Sequence, residues 1–116
     1  MKKNFKCIFA VVNNGFSEVA MDAAKSAGAK GGTILRGRGT VSKEAEKFFN
    51  ISIQPEKEIV MILASNSHAD NILKSLYKAI GSSTEAQGIA FALPVDEVAG
   101  IEEKITDKQL EKKEEK

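Results

Sequence analysis

Four apolar runs along the chain predict the strands of a small sheet. Residues 5–12 and 59–64 carry the two longest runs, which are typical of central strands buried on both faces. Residues 33–36 and 89–93 carry shorter runs bounded by glycine or proline, and they predict two further strands. The sequence therefore predicts a four-stranded sheet.

Two segments with helical character lie between these strands. The first is rich in alanine, with Ser17 as its predicted N-cap and Gly28 after its last turn. The second has Ser67 as its predicted N-cap and is closed by Gly81. Its apolar positions form one helical face and are Ile72, Leu73, Leu76, Tyr77 and Ile80. Because alanine has little volume, the first helix is expected to approach the sheet closely and to contribute little apolar bulk.

The element order β-α-β-β-α-β predicts an α+β fold of the ferredoxin-like type, in which a four-stranded antiparallel sheet carries both helices on one face. The runs at 5–12 and 59–64 then lie side by side, and their second face is bare. A monomer rarely exposes a large apolar patch, so we expect further copies of the chain to cover it. The alternative is that the long connection or the C-terminal tail folds back over the sheet.

Composition limits the size and the partners of the protein. The 116 residues are enough for one domain, and 42% of them are hydrophobic, as in ordinary globular proteins. The 17 basic and 16 acidic side chains leave a net charge of +1, which provides no field for binding nucleic acid. No apolar run approaches the ~20 residues that span a bilayer, and the first residues do not have the pattern of a signal peptide. We expect a cytoplasmic protein that meets a membrane only through a partner.

The domain organisation follows from charge and from one long connection. Residues 1–101 are expected to form the domain and residues 102–116 a solvated tail. The tail has six acidic and five basic residues, which leaves too little apolar area to offset the entropy of ordering. Residues 40–57 form a connection without a clear element, and such long connections are more often functional than accidental. Its Phe48 and Phe49 are either an anchor for a partner or residues that pack against the sheet.

The segment Arg36-Gly37-Arg38-Gly39-Thr40, which leaves the second strand, is the best candidate site in the chain. Two glycines allow backbone N–H groups to turn inward as an anion-binding nest, and each guanidinium can hold a phosphate by two hydrogen bonds. The alternative is a glycine turn with two solvated arginines. The glycine-rich signatures of dinucleotide-binding and P-loop folds are absent from the sequence.

No residue pattern predicts an enzyme. His68 is the only histidine and lies in the first turn of the second helix, where a solvated or capping role is expected. Cys7 lies on an apolar strand and is expected to be a core thiol, and Tyr77 is expected to pack. One histidine and one cysteine without a shared motif do not make a metal site. We therefore expect no catalytic residue, no metal and no covalent cofactor.

Several features together resemble the P-II nitrogen-regulatory signal proteins over residues 5–101. Besides the element order and the long connection, they are Gly32-Thr33, Gly37-Arg38-Gly39, Pro55-Glu56-Lys57-Glu58-Ile59 and Gly88. The resemblance implies a homotrimer that binds an adenine nucleotide, ATP, ADP or AMP, in the clefts between its subunits. It also implies that residues 40–57 form an effector loop, which contacts a protein target such as a transporter or a metabolic enzyme.

By the same resemblance, ten residues would form the nucleotide site: Thr33, Arg36, Gly37, Arg38, Gly39, Thr40, Lys57, Ile62, Gln87 and Gly88. Thr33 and Ile62 would flank the adenine, and Lys57 would reach a phosphate. Gln87 and Gly88, in the loop after the second helix, would close the site. The sequence departs from the family pattern at Ala86-Gln87-Gly88-Ile89, which stands in place of glycine-aspartate-glycine-lysine. The lysine that would meet the phosphates is therefore missing. The basic residues that the family supplies from a neighbouring subunit are also not recognisable near the end of the domain.

The effector loop implied by the resemblance contains no tyrosine, so control by uridylylation is not available to this chain. A signal would instead be read through ligand occupancy, which would shift the loop between two states. The loop residues expected at the partner are Glu44, Phe48 and Phe49. The hypothesis is a non-enzymatic nitrogen-regulatory adaptor gated by a nucleotide. The alternative is a trimeric binding module of the same fold for a metal or a small anion, without a nucleotide role.

Overall fold

The computed structural model describes residues 4–40 and 55–101, together with Glu44 and Lys47. Its elements are β1 (Phe5–Asn13), α1 (Ser17–Ser26), β2 (Thr33–Arg38), β3 (Glu56–Ser65), α2 (Asn66–Ile80) and β4 (Ile89–Val95). The strands form a four-stranded antiparallel sheet in the order β2-β3-β1-β4. The predicted β-α-β-β-α-β order and the ferredoxin-like fold are therefore confirmed.

The predicted tail and most of the predicted effector loop lie outside the described residues, and so do Phe48 and Phe49. Glu44, the third residue expected at a partner, is exposed. Among the described helices, none is long and apolar enough to cross a bilayer.

One face of the sheet packs against both helices. In β1 and β3 every second residue is buried on this face: Ile8, Ala10, Val12, Val60, Ile62 and Ala64. The helices cover them with Ala20, Met21 and Ala24 from α1, and with Ala69, Ile72, Leu76 and Ile80 from α2. As expected, α1 contributes mainly small residues. The larger aliphatic side chains of α2 and of the two central strands fill most of the core.

The other face of the sheet is uncovered and apolar. In the strand register Phe9 of β1 lies between Met61 of β3 and Phe91 of β4, and the rings of Phe9 and Phe91 stack with their centroids 5.5 Å apart. We call this surface the open face, and its residues are Cys7, Phe9, Val11, Leu35, Ile59, Met61, Leu63, Ile89, Phe91 and Leu93. The fractional exposure of Ile89, Phe91 and Leu93 is 62%, 42% and 48%. The predicted bare apolar face is present in the single chain.

All four strands are longer than the sequence predicted, and β1 includes Asn13, which was expected in the following turn. Glu56 and Lys57, which the sequence places in the effector loop, are the first two residues of β3 and pair with the end of β2. β2 itself continues through Arg38. Pro94 was expected to end β4 but lies within it, opposite Lys6. An edge strand tolerates proline because the missing N–H has no ladder partner on the outer side.

The cap predicted for α1 is wrong. Ser17 is the first helical residue, and Phe16 at the N-cap makes no side-chain cap hydrogen bond. Glu58 of β3 replaces the cap, because its Oε1 accepts the N–H of Gly15 at 2.7 Å and the N–H of Ser17 at 3.3 Å. A carboxylate distant in sequence thus satisfies N–H groups that a serine was expected to satisfy.

The start of α2 and one of its apolar positions also differ from expectation. Ser65 rather than Ser67 occupies the N-cap, whereas Gly81 closes the helix as predicted. Tyr77 was expected to pack but is 74% exposed. Its position lies at the margin of the helical face centred on Ile72 and Leu76, so it projects beyond the sheet beside β4.

Candidate functional site

A row of residues crosses the sheet at one end of the open face. Lys57 of β3 stands opposite Asn13 of β1 and Gly37 of β2 in the strand register. Lys57 Nζ donates a hydrogen bond of 2.6 Å to Asn13 Oδ1. Asn13 Nδ2 in turn donates to Gln87 Oε1 at 3.4 Å. We call Gly37, Lys57, Asn13 and Gln87 the polar row, because it gives the apolar open face a polar border.

Asn13 fastens the polar row to the segment that precedes β4. It is only 7% exposed, and its backbone N–H donates to the carbonyl oxygen of Ala86 at 2.9 Å. Its side-chain Nδ2 also donates to the carbonyl oxygen of Glu85 at 3.1 Å. A buried amide is costly unless it is hydrogen-bonded, and here both ends of the amide have partners. The segment before β4 is thereby held on the end of β1.

Gly39 lies against the side chain of Lys57. A Cβ atom at Gly39 would be 2.9 Å from Lys57 Cε and 3.3 Å from Lys57 Cγ, so the aliphatic stem of the lysine passes directly over this glycine. The N–H of Gly39 donates to the carbonyl oxygen of Pro55 at 2.6 Å, which joins the two ends of the long connection. Four predicted nucleotide residues, Gly37, Gly39, Lys57 and Gln87, are thus brought together.

The nest predicted at Gly37–Gly39 is wrong. Gly37 and Arg38 are strand residues that pair with β3, and the N–H of Gly39 is engaged by Pro55. Neither glycine has a positive φ, whereas a nest alternates right-handed and left-handed residues. The glycines leave room for Lys57 and do not form a cradle of N–H groups.

The two predicted arginines lie on the side of the sheet opposite to Lys57. Side chains alternate between faces along a strand, so Arg36 and Arg38 project from the face that carries the helices, and both are exposed. Arg36 stands opposite Glu58. The backbone N–H of Gly15 lowers the pKa of the Glu58 carboxyl below its usual value, and the positive charge of Arg36 adds a smaller effect. Arg36 therefore helps to balance a structural carboxylate.

The two residues expected to flank an adenine lie on different sides of the sheet. Thr33 is exposed at the start of β2, opposite Met61 and on the open-face side. It borders a groove of about 470 Å³ that also includes Cys7 and Lys30. Ile62 has no exposed surface and packs in the core under the helices. Ile62 is therefore a core residue and does not form a wall of a ligand site.

Thr40 and Gly88 have different positions relative to the polar row. Thr40 is exposed and directly follows Gly39. Gly88 is buried, and its N–H donates to the carbonyl oxygen of Ile80 at 2.6 Å. Gly88 thus fastens the loop between α2 and β4 to the end of α2. Gln87 beside it has a φ of 44°, an uncommon conformation for a residue other than glycine.

The residues that most often carry catalysis or metal binding are separate from the polar row. His68 is exposed, with its Nδ1 2.8 Å from Ser65 Oγ, in agreement with the expected solvated or capping role. Cys7 is half-buried on the open face and not in the core as predicted. Burial raises the pKa of its thiol, which disfavours the reactive thiolate. No group of three or more metal-ligating side chains occurs in residues 4–40 and 55–101.

Two residues of this region were not identified from the sequence. Asn13 resembles an ordinary turn residue at a strand end, and its burial depends on Glu85, which is 72 positions away. Glu58 was noted only as part of the Pro55–Ile59 pattern, although it caps α1. The sequence contained no signal for Glu58, because Ser17 offered a suitable N-cap by residue type. No local signal pointed to Asn13.

Two solved structures share this fold. One is a PII protein of Arabidopsis thaliana bound to citrate, 17% identical, which matches over 82% of this chain and 78% of that chain with a TM-score of 0.60. The other is named as a putative PII-like signalling protein of Thermus thermophilus, 22% identical, over 78% and 85% of the two chains with a TM-score of 0.60. No family model and no curated protein sequence matches the chain. At these identities the likeness establishes a fold that the chain has in common with PII and PII-like signalling proteins.

Proposed function

We propose that this chain is a non-enzymatic signal protein of the P-II type. It forms a homotrimer in the cytoplasm and binds an adenine nucleotide at the seams between subunits. Occupancy of that site sets the conformation of the effector loop, residues 40–57, which contacts a protein target. The similarity of fold to PII and PII-like signalling proteins supports this assignment.

The observation that carries the proposal is the polar row at the edge of the open face. Lys57 and Gln87 border an apolar surface that includes the exposed side chains of Ile89 and Phe91. When a second subunit covers the open face, this polar border lies at the edge of the contact between the two subunits. A ligand bound at that edge is held by Lys57 and Gln87, next to solvent and to the start of the long connection.

The uncovered apolar face supports self-association of the chain, and the resemblance to P-II proteins favours a trimer over a dimer. A two-fold pairing and a three-fold ring both bury apolar area, but a ring leaves three equivalent seams. In a ring, the β2 side of each subunit approaches the β4 side of the next, since these are the two edges of the sheet. Each polar row then lies beside a seam and is completed by the neighbouring subunit.

Lys57 is the principal phosphate-binding group in this proposal, with Gly37, Gly39 and Gln87 around it. Thr33 lies on the same side of the sheet and remains a candidate contact for the base. Ile89 occupies the place where the family pattern has a lysine, and its side chain is 62% exposed. The site therefore has one fewer cation for a long phosphate chain, which favours a nucleotide with fewer phosphates.

Calorimetric titration with ATP, ADP and AMP tests the proposal. The wild-type protein should bind at least one of them with one site per subunit. Lys57→Ala should weaken binding by about tenfold or more, as for loss of a charge-assisted hydrogen bond. Arg38→Ala should have a smaller effect, because Arg38 projects from the opposite face. Lys74→Ala, a substitution of an exposed lysine on α2, is the control and should bind as the wild type does.

A small polycarboxylate is the second candidate ligand, within a trimeric binding module that has no nucleotide role. The Arabidopsis PII structure contains citrate, and a single ordered lysine such as Lys57 suits a carboxylate as well as a phosphate. Titration with citrate under the same conditions separates the two functions. Binding of citrate through Lys57 without binding of any nucleotide would favour this second candidate and contradict the first.

A further inference from the structure

The side chain of Lys57 is held at both ends. Its Nζ donates to Asn13 Oδ1 at 2.6 Å, and its stem passes over Gly39, where a Cβ atom would be 2.9 Å from Lys57 Cε. Lys57 is also half-buried, unlike the exposed lysines of α2. A lysine normally samples many rotamers, so two fixed contacts limit where its ammonium group lies.

The chemistry of the partners requires an amide at position 13. The ammonium group of Lys57 only donates hydrogen bonds and the carbonyl oxygen of Glu85 only accepts them. Asn13 therefore turns its Oδ1 toward Lys57 and its Nδ2 toward Glu85, in agreement with the bonds of 2.6 Å and 3.1 Å. A carboxylate in this place would face the carbonyl oxygen of Glu85 without a proton between them. An aliphatic side chain would leave the groups around it unpaired.

The glycine at position 39 is required for space. Gly39 does not have a positive φ, so an alanine there fits the backbone without conformational strain. The atoms that its methyl group would meet are Cε, Cγ and Cδ of Lys57. Because these atoms belong to a flexible side chain, an added methyl group moves the lysine and leaves the sheet in place.

We propose that Asn13 and Gly39 are positioning residues that hold the ammonium group of Lys57 where it meets the anionic group of the ligand. This inference rests on the proposed function for the identity of the ligand. The two contacts that hold Lys57, with Asn13 and with Gly39, are together called the clamp, and the clamp is a property of the free protein. A cation that is ordered before binding loses less conformational freedom when the ligand arrives. Through Asn13, the clamp also ties the segment before β4 to the start of β3.

The consequence for binding is measured with ADP as the probe, by calorimetry on the full chain. Asn13→Ala and Gly39→Ala both keep Lys57. Each should nevertheless weaken binding by about three- to tenfold, which is the effect expected when one hydrogen bond no longer fixes the ammonium group. The matched controls are Asn14→Ala, an exposed neighbour, and Gly31→Ala, where an added Cβ meets no atom within 4 Å. Both controls should bind ADP as the wild type does.

Thermal unfolding separates positioning from a general loss of structure. Gly39→Ala should weaken binding with only a small fall in Tm, because the lysine side chain moves while the hydrogen bonds of Asn13 to Glu85 and Ala86 remain. Asn13→Ala should lower the Tm more, since it removes several buried hydrogen bonds. If Asn13→Ala does not fold, Gly39→Ala with its Gly31→Ala control still decides the question. A fall in Tm for Gly39→Ala with unchanged affinity would overturn the inference.

A ligand-independent measurement tests the clamp directly. Limited acetylation by acetic anhydride, followed by mass spectrometry of each lysine, should show that Lys57 reacts more slowly than Lys74 and Lys78 in the wild type. The reactivity of Lys57 alone should rise in Asn13→Ala and change in Gly39→Ala. Equal reactivity of Lys57 in the wild type and in both variants would overturn the clamp. Absence of ADP binding by the wild type, with altered lysine reactivity in the variants, would instead refute the nucleotide function and leave the clamp supported.

Discussion

Truncation of Phe91 should weaken the association of subunits much more than truncation of an exposed apolar residue in the helix layer. Phe91 is 42% exposed on the open face, which amounts to about 80 Å² of a phenylalanine surface. At about 25 cal/mol per Å², covering that area contributes about 2 kcal/mol per subunit. Three copies contribute about 6 kcal/mol, so Phe91→Ala should raise the trimer dissociation constant by about four orders of magnitude.

The control for this substitution is Val19→Ala. Val19 is 43% exposed, but it lies on α1 in the layer that covers the other face of the sheet, so it should not contribute to the seam. Sedimentation velocity over a range of micromolar concentrations measures both variants beside the wild type. Phe91→Ala also loses its stacking on Phe9, a local cost of about 1 kcal/mol, so circular dichroism must first show that the subunit is folded. Equal sedimentation of the two folded variants would refute the reasoning.

Three further predictions concern single positions. Glu58→Ala should lower the free energy of unfolding by about 1 kcal/mol in urea titration, as for loss of a helix cap, whereas Glu58→Gln, whose amide oxygen still accepts, should lose less. The pKa of Glu58 is lowered in the folded protein. The stabilisation by its carboxylate is therefore fully present above the pKa of Glu58 in the unfolded chain, and it is lost as the pH falls through the lower pKa of the folded protein. The same dependence of stability on acid pH in the wild type and in Glu58→Gln would contradict this. The thiol of Cys7 should react slowly with a disulfide reagent when subunits are associated and faster on dilution, and a rate independent of protein concentration would count against coverage of the open face. Gly28→Ala should destabilise the protein more than Gly15→Ala, since both have positive φ but only a Cβ at Gly28 meets the ring of His68; His68→Ala should remove that difference in thermal unfolding, and its persistence would show that the ring is not the cause.

The fold was predictable because its strongest signals are local. The runs around Ile8 and Val60 are apolar on both faces, and this pattern predicts central strands whatever the rest of the chain does. Glycine at position 81 ended α2 where expected. The element order then left few topologies, since crossovers of one hand are strongly preferred. The bare face followed from the same order, because two helices cover only one side of a sheet.

The details of the site depend on contacts that local patterns do not encode. Ser17 and Ser67 are good N-caps by residue type. At the start of α1, however, the cap is Glu58, which lies on β3, and the N-cap of α2 is Ser65. At α1 a tertiary partner overrides the local preference, whereas α2 begins two residues earlier than predicted, directly after β3. Pro94 was expected to end a strand, but its place on a sheet edge, which only the topology decides, lets the strand continue through it.

The composition of the candidate site was predictable only in part. Lys57 and Gln87 were grouped by a resemblance, and the structure brings them together through Asn13, which the sequence did not indicate. Arg36 belonged to the same motif but projects from the other face. Because side chains alternate between the two faces along a strand, the two residues by which β2 is longer than predicted fix the side of the sheet from which each side chain projects. A loop, as predicted for this segment, does not impose that alternation.

The central claim is that copies of the chain cover the open face and create the seams in which the polar row lies. Native mass spectrometry of the wild-type protein at micromolar concentration tests it most directly. The predicted spectrum is dominated by a species with the mass of three subunits. A spectrum dominated by single subunits, from protein that is folded by circular dichroism, would contradict the claim.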